Sequence, residues 1–353
     1  MSGNRGLRVV ACPDKFRGTA SADEVAAAIA AGWASGVGAD RATADVACLS
    51  MADGGEGTLD ALGGPNRTSL VIGPLRERIE AQWRLSGDLA IVEMARASGL
   101  TLAGGAARND PLAATTAGTG ELIAEAVASG ARRVIVGVGG SATTDGGLGA
   151  LDAMAPLARL AGVSVQVACD VRTRFCDAAR IFGPQKGATP PQIKLLTRRL
   201  DRLVDLYRER YDVDVSEMPR AGAAGGLAGG LAAGLRAELA EGFDVVASEV
   251  GLGEAIATAD LVITGEGRLD AGSFDGKVVG GVARLAAEAG VPLAVIVGAR
   301  EPGIELAEHA SVDAQLVVLS ERYGMERSTS DTLGAVRDAA AELAADRARE
   351  VGG

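Results

Sequence analysis

One histidine, His309, and four cysteines, Cys12, Cys48, Cys169 and Cys176, are all this sequence offers of two residue types on which much enzyme chemistry depends. They cannot supply a zinc site of the usual ligand spacing, and His309 has no Ser-His-Asp or Cys-His motif around it. The cysteines show neither C-x-x-C spacing nor disulfide density, which suits a reducing compartment. Aromatic residues are only 3%, so the core must be Ala, Val, Leu and Ile closed around 50 glycines. Positive charge is in deficit, with 35 basic against 46 acidic residues and a net charge of −11. That excludes the basic footprint a nucleic-acid binder needs. There is no long apolar run: GAAGGLAGGLAAGL (222–235) is broken by glycine and too short to span a bilayer. MSGNRGLRVV at the start lacks the apolar segment of a signal peptide. Neither G-x-G-x-x-G after the first strand nor G-x-x-x-x-G-K-[ST] occurs. A cytoplasmic protein with small-molecule ligands, no nucleic acid and no membrane is expected.

Of the 35 cationic residues only four are lysines, Lys15, Lys186, Lys194 and Lys277. In an Ala-, Gly- and Arg-rich chain, arginine replaces lysine wherever a generic cation suffices. A lysine that remains is suspect of a task needing a compact ammonium, such as gripping phosphate. Lys194, on the amphipathic run 191–211 with Ile193, Leu196, Leu200 and Leu203 as its apolar stripe, reads as a solvated charge. His309, at the end of a short helix, is expected to have no role.

The 353 residues suggest about two domains. Short apolar runs alternate with helical periodicity, the α/β pattern. Strands are expected at 7–12, 44–51, 68–73, 79–85, 89–95, 132–140 and 163–171. The runs between 68 and 95 are closely spaced, as in antiparallel or mixed pairing. Ser21-Ala22-Asp23-Glu24 is a capping box opening a helix to about Ser35, and a further helix is expected over 119–130. From about 244 the order is helix 245–258, strand 260–265, helix 277–289, strands 292–298 and 314–320, and a helix near 331–350. This predicts a doubly wound parallel sheet shared by 1–65 and 245–353, interrupted by an inserted mixed-sheet α/β domain at 66–244.

Six segments place charged or glycine-rich groups at strand ends, where open α/β sheets bind ligands. CPDKFRGTAS carries Asp14, Lys15 and Arg17. MADGGEGTLD puts Asp53 and Glu56 among three glycines, suited to Mg²⁺ or substrate hydroxyls. GVGGSATTDGG, from Gly139 and Gly140 through Ser141, Thr143 and Asp145, runs from a strand into a helix and suits phosphate. Thr115, Thr116 and Thr119 upstream read as helix caps. ACDV and FGPQKGATP bring Asp170 and Lys186, a carboxylate and an ammonium suited to phosphoryl transfer. GAAGGL (222–227) suits tight helix packing or a backbone contact with nucleotide. ITGEGRLD, read as a loop, carries Glu266, Arg268 and Asp270, with Lys277 opening the next helix.

Together these segments, with VEMARASGL and TAGTGELIAEA, resemble the bacterial glycerate kinase family in nine motifs in the family's order, from residue 8 to about 300. The resemblance implies an enzyme that uses ATP and Mg²⁺ to phosphorylate D-glycerate, usually to 2-phosphoglycerate. It also implies two dissimilar α/β domains, one flavodoxin-like and interrupted by the other; separately, a monomer or homodimer is expected. Carried onto this chain, it marks Asp14, Asp53, Glu56, Ser141, Asp145, Asp170, Lys186, Glu266, Arg268, Asp270 and Lys277. In-line transfer needs a metal, a cationic clamp and a hydroxyl-orienting carboxylate. On that chemistry Asp170 or Asp270 is the orienting base, and Lys186 and Arg268 are clamps. Asp53 and Glu56 lie near Mg²⁺ or substrate, and the 139–147 loop, with Glu266 and Lys277, holds phosphate or nucleotide. Lys15 stands where the family usually has Ser, Arg17 where it has Lys, Thr144 where Asn is common, and Asp275 where His is frequent. The first two changes leave a related small hydroxy acid as an alternative substrate; a non-catalytic paralogue that binds nucleotide or carboxylate is the other alternative.

Overall fold

The computed structural model describes residues 7–37, 45–304, 306 and 313–352. His309 lies outside them. The chain divides into two compact units, Met1–Asp53 with Val246–Gly353, and Gly54–Val245.

The first unit is built on five parallel strands, β1 (Arg8–Ala11), β2 (Asp45–Cys48), β9 (Leu261–Leu269), β10 (Leu293–Arg300) and β11 (Ala314–Val318). Their order across the sheet is β11-β10-β9-β1-β2. Taken in chain order within the unit this is 2-1-3-4-5, the flavodoxin-like order, with a ligand crevice expected at the carboxyl ends of β1 and β9. Val9, Ala11, Ile263 and Ile296 pack on helices Ala22–Val37 and Thr332–Gly352. The alternate residues Val10, Val262 and Val295 are buried as well, so both faces are covered, as a parallel sheet requires. The two helices approach closely because Gly32 and Gly36 lie at the contact. A Cβ there would stand 2.1 Å from the Arg337 carbonyl oxygen and 2.2 Å from that of Ala341. The expected capping box is present: Glu24 N–H donates to Ser21 Oγ, and Ser21 N–H to Glu24 Oε2.

The expected helix 245–258 is two helices, Gly242–Glu249 and Leu252–Ala257, parted at Gly251, whose φ is +68°. More consequential for function, ITGEGRLD is no loop. β9 runs on to Leu269, with Glu266 beside Val297 and Arg268 beside Ala299 of β10. Glycine allows this rather than ending the strand, since a Cβ on Gly265 would meet the Ile296 carbonyl oxygen at 2.0 Å.

The second unit holds a six-stranded sheet of β3 (Arg67–Ile72), β4 (Arg78–Ser86), β5 (Leu89–Glu93), β6 (Arg133–Gly137), β7 (Ser164–Cys169) and β8 (Glu238–Glu241), in that order. β3, β4 and β5 pair antiparallel, and β5 through β8 parallel, a mixed sheet. Its core joins Trp83, Val92, Leu122, Val136 and Val167 to Phe175, Leu200, Tyr207 and Leu227. Helix Pro190–Tyr211 buries Leu196, Leu200 and Leu203 and leaves Lys194 exposed. The first division between units falls at Asp53, earlier than the expected 65. Residues 54–59 are bound to the second unit: Val138 N–H donates to the Gly54 carbonyl, and Gly57 and Leu59 N–H donate to Glu93 Oε2.

Candidate active site

In the second unit the chemistry gathers at the end of β6. Gly139 comes so close to Gly55 that a Cβ would stand 2.5 Å from its Cα, and Gly140, at φ +70°, lies against the Glu56 carboxylate. Ser141, Thr143 and Asp145 are all buried. Asp145 ties the loop to its neighbours. Its Oδ2 accepts from Thr116 N–H at 2.8 Å and Thr116 Oγ1–H at 2.9 Å, and its Oδ1 from Gly147 N–H at 3.1 Å. Thr115 and Thr116 upstream therefore bind this carboxylate, whereas Thr119 shares a hydrogen bond with Ser98 at 2.9 Å, and Thr116 makes no side-chain cap. The helix that follows, Leu148–Ala153, is only six residues. Its dipole is small, so any anion affinity rests on the loop's own amide groups. Among the described residues the N–H groups of Thr143, Thr144 and Asp145 have no protein acceptor.

The GAAGGL segment forms the other wall of this loop. A Cβ on Gly225 would lie 2.0 Å from the Thr143 carbonyl oxygen, so only glycine fits. Lys186, in the turn Pro184–Lys186, is 2% exposed, and its Nζ donates to that same Thr143 carbonyl at 2.6 Å. Burial pulls its pKa from an ordinary 10.5 to about 7, with the nearby Asp145 acting against the shift. Asp170, just past β7, is exposed.

In the first unit, carboxylates collect at the carboxyl ends of β1 and β9. Asp14 is buried and held beside β9 by its N–H bond to the Gly265 carbonyl. Burial raises its pKa to about 6; Lys15, with Nζ 3.8 Å from Asp14 Oδ1, opposes this, and the Asp53 charge adds to it. Glu266 is 9% exposed, and its Oε1 is buried with no hydrogen-bond partner. Its pKa is pushed to about 7 by burial first, then by Asp14 and Asp270, while Ser273 and Lys277 pull it down. Asp270 caps the turn Ala271–Phe274, pairing reciprocally with Ser273. A Cβ on Gly272 would lie 3.1 Å from Asp270 Oδ1 and 3.8 Å from Lys277 Nζ, so these two side chains flank it.

Asp14, Lys15, Asp53, Glu266, Asp270 and Lys277 thus share one neighbourhood. The exposed Arg17 follows in the same loop as Asp14. Arg268 does not join them: it is exposed and pairs with Glu301 at 3.0 Å, and a surface pair of that kind is a poor phosphate clamp. Two residues escaped the sequence reading. Glu93 anchors the Glu56 segment, and Asn109 Nδ2 donates to the carbonyls of both Ala142 and Lys186. Each carries a legible sign, a lone carboxylate closing an apolar strand and an Asn-Asp-Pro turn, but neither reveals its partner.

Among the described residues no helix is long and apolar enough to cross a membrane. The model of the glycerate kinase family matches residues 9–157 and 155–347. The chain is 38% identical to glycerate 2-kinase of Escherichia coli over 351 residues, 89% of this chain and 91% of that one. It is 35% identical to glycerate kinase of Halalkalibacterium halodurans, with 95% and 97% covered. A crystal structure described as that of a glycerate kinase 2 from Salmonella typhimurium LT2 superposes with a TM-score of 0.85 at 34% identity, covering 99% of this chain and all of that one. A flavodoxin-like sheet with buried carboxylates, a mixed-sheet unit with a glycine-lined loop, and matches spanning both lead to one conclusion: the chain belongs to the glycerate kinase family.

Proposed function

We propose that this protein is an ATP-dependent glycerate kinase that transfers the γ-phosphoryl group to the 2-hydroxyl of D-glycerate. Family membership across both units carries the reading. The 139–147 loop supports it, because unsatisfied amides on a glycine-lined backbone suit the oxygens of a phosphate. Asp145 shapes that loop rather than meeting the phosphate, since its oxygens already accept several protein donors. Ser141, Gly139 and Gly140 are assigned to the phosphate, with Asp170 and Glu56 near the reacting groups.

In the first unit Glu266 is the best proton acceptor. A carboxylate with pKa near 7 and an unpartnered oxygen is matched to removing a proton from an alcohol at neutral pH. The substrate hydroxyl gives its proton to Glu266 as its oxygen bonds to phosphorus, and the bridging oxygen leaves with ADP. Asp14 and Asp53 would orient hydroxyls, with Lys15, Arg17 and Lys277 drawing the substrate carboxylate. Among the described residues no three acidic, His or Cys side chains are grouped to hold a metal ion. Asp53 and Glu56 are the carboxylates that would hold Mg²⁺, an ion that takes oxygen ligands. Such an ion neutralises charge on the transferring phosphoryl group. The four free cysteines suit a cytoplasmic enzyme.

Incubation with ATP, Mg²⁺ and D-glycerate, followed by phosphorus NMR, tests the reading. ADP and 2-phosphoglycerate are expected. Because Lys15 stands beside Asp14 where the family usually has Ser, the same assay runs over a panel of small hydroxy acids. Turnover only on another acid would replace D-glycerate as substrate, and nucleotide binding without turnover on any acid would overturn the kinase reading.

A further inference from the structure

Lys186 looks, from its sequence, like a cation that touches phosphate, but its surroundings suit another task. It is 2% exposed, and its Nζ donates at 2.6 Å to the backbone carbonyl of Thr143, in the middle of the glycine-lined loop. A trans peptide places the carbonyl of one residue and the N–H of the next on opposite sides. Holding the Thr143 carbonyl toward Lys186 therefore turns the Thr144 N–H the other way, and that N–H has no protein acceptor among the described residues. If this peptide flipped, it would present a carbonyl oxygen to an incoming anion in place of a donor. Two further bonds keep the strut in place: Asn109 Nδ2 donates to the Lys186 carbonyl at 2.9 Å and to the Ala142 carbonyl at 3.0 Å. Asn109 thus ties the base of the lysine to the loop that the tip of the lysine holds. Gly187, at φ +86° and packed on the Ala106 carbonyl, fixes the turn from which the lysine rises.

We infer that Lys186 is a positioning residue: through the Thr143 carbonyl it sets the peptide orientation that makes the 139–147 loop a phosphate-binding surface, without itself contacting phosphate. This rests on the reading of that loop as the phosphate site. It also predicts an effect in the protein without any ligand, which a direct clamp would not produce.

The experiment is hydrogen exchange of residues 139–147 in the ligand-free protein, combined with ATP binding by calorimetry, for the wild type, Lys186→Met and Asn109→Ala. Both variants should speed exchange across the loop and weaken ATP binding about tenfold, the loss expected for a charge-assisted or paired neutral bond. Exchange unchanged in Lys186→Met while ATP binding or turnover collapses would mean direct contact with phosphate and overturn the inference. If Lys186→Met does not fold, Asn109→Ala decides alone: unchanged exchange and ATP affinity refute it. Should the wild type prove not to phosphorylate D-glycerate, the functional reading fails, while the exchange result still decides the role of Lys186.

Discussion

Asp145→Asn separates a residue that holds the site together from one that merely lines it. In the wild type the carboxylate is buried and accepts from Thr116 N–H, Thr116 Oγ1–H and Gly147 N–H at 2.8, 2.9 and 3.1 Å. Asparagine offers only one acceptor atom. Keeping oxygen toward Thr116 turns the amide NH₂ against the Gly147 N–H, two donors facing each other. One charge-assisted bond is then lost outright and two lose their charge assistance, at about 1.5–3 kcal/mol for the first and less for the others. Removing the carboxylate also withdraws the one charge that favours the ammonium form of Lys186. A total of about 2–4 kcal/mol is expected. For a unit the size of Gly54–Val245, each kcal/mol shifts Tm by roughly 2–4 °C, so the transition should fall by about 5–15 °C. Differential scanning calorimetry at pH 7.5 reads this directly, with urea unfolding as a second measure. A residue kept only for ligand contact behaves oppositely, since relieving a buried functional charge leaves stability unchanged or raises it. A Tm within 1 °C of wild type, or above it, would refute the account of Asp145 as the tie of the loop.

Other perturbations follow from the same contacts. Gly36→Val in the first unit forces a side chain onto the Ala341 carbonyl and should cost about 1–3 kcal/mol or more, visible as a lower urea midpoint; an unchanged midpoint would mean the helices part freely. Asp14 and Glu266 have folded pKa values raised from 3.8 and 4.5 to about 6 and about 7, so the folded state binds protons that the unfolded chain has released. The stability they contribute is complete below about pH 4 and is lost as pH rises through 6–7. Lys186 has the opposite sign, its pKa lowered from 10.5 to about 7, so its contribution grows from pH 7 toward 10.5. Glu266→Gln should flatten the first slope, raise stability at pH 8 and abolish most turnover; a slope as steep as wild type in pH-dependent melting would remove Glu266 as its source. Arg268→Ala, which breaks an exposed pair, should leave Tm within about 1 °C and turnover within about threefold, and a hundredfold loss of turnover would restore Arg268 as a clamp.

The elements were legible wherever periodicity was undisturbed. Helix Pro190–Tyr211 and strands β5 to β7 fall within a few residues of their expected limits because apolar spacing and flanking glycines agree there. The stretch after Thr264 departs from its expected loop for a physical reason. Its two glycines look like a loop, but they let β9 and β10 approach, and Gly265 sits where any Cβ would strike Ile296. A loop there would leave Glu266 exposed, whereas the strand buries it, and the carboxylate neighbourhood depends on that burial. The candidate residues themselves came from motif order, yet their roles did not. Nothing near Asp145 in the chain announces Thr116 as its partner, and nothing near Lys186 tells that its ammonium is spent on a backbone carbonyl rather than exposed. Arginine abundance hides depth in the same way: Arg268 and Lys277 have similar surroundings in sequence, yet the first points to a surface partner and the second sits beside buried carboxylates.

The parallel pairing of β1 with both β2 and β9 has a consequence for how the chain is made. Val9 pairs with Leu261, so the central seam of the first unit joins residues roughly 250 positions apart. Helix Ala22–Val37 likewise finds its close partner only in Thr332–Gly352. The second unit, by contrast, is one unbroken segment. During synthesis Gly54–Val245 is complete before β9 exists, and domains fold as their residues emerge. Strands β1 and β2 and helix Ala22–Val37 are therefore made well before the partners that bury them, and Ile29 and Trp33 gain their full cover only once helix Thr332–Gly352 has been made.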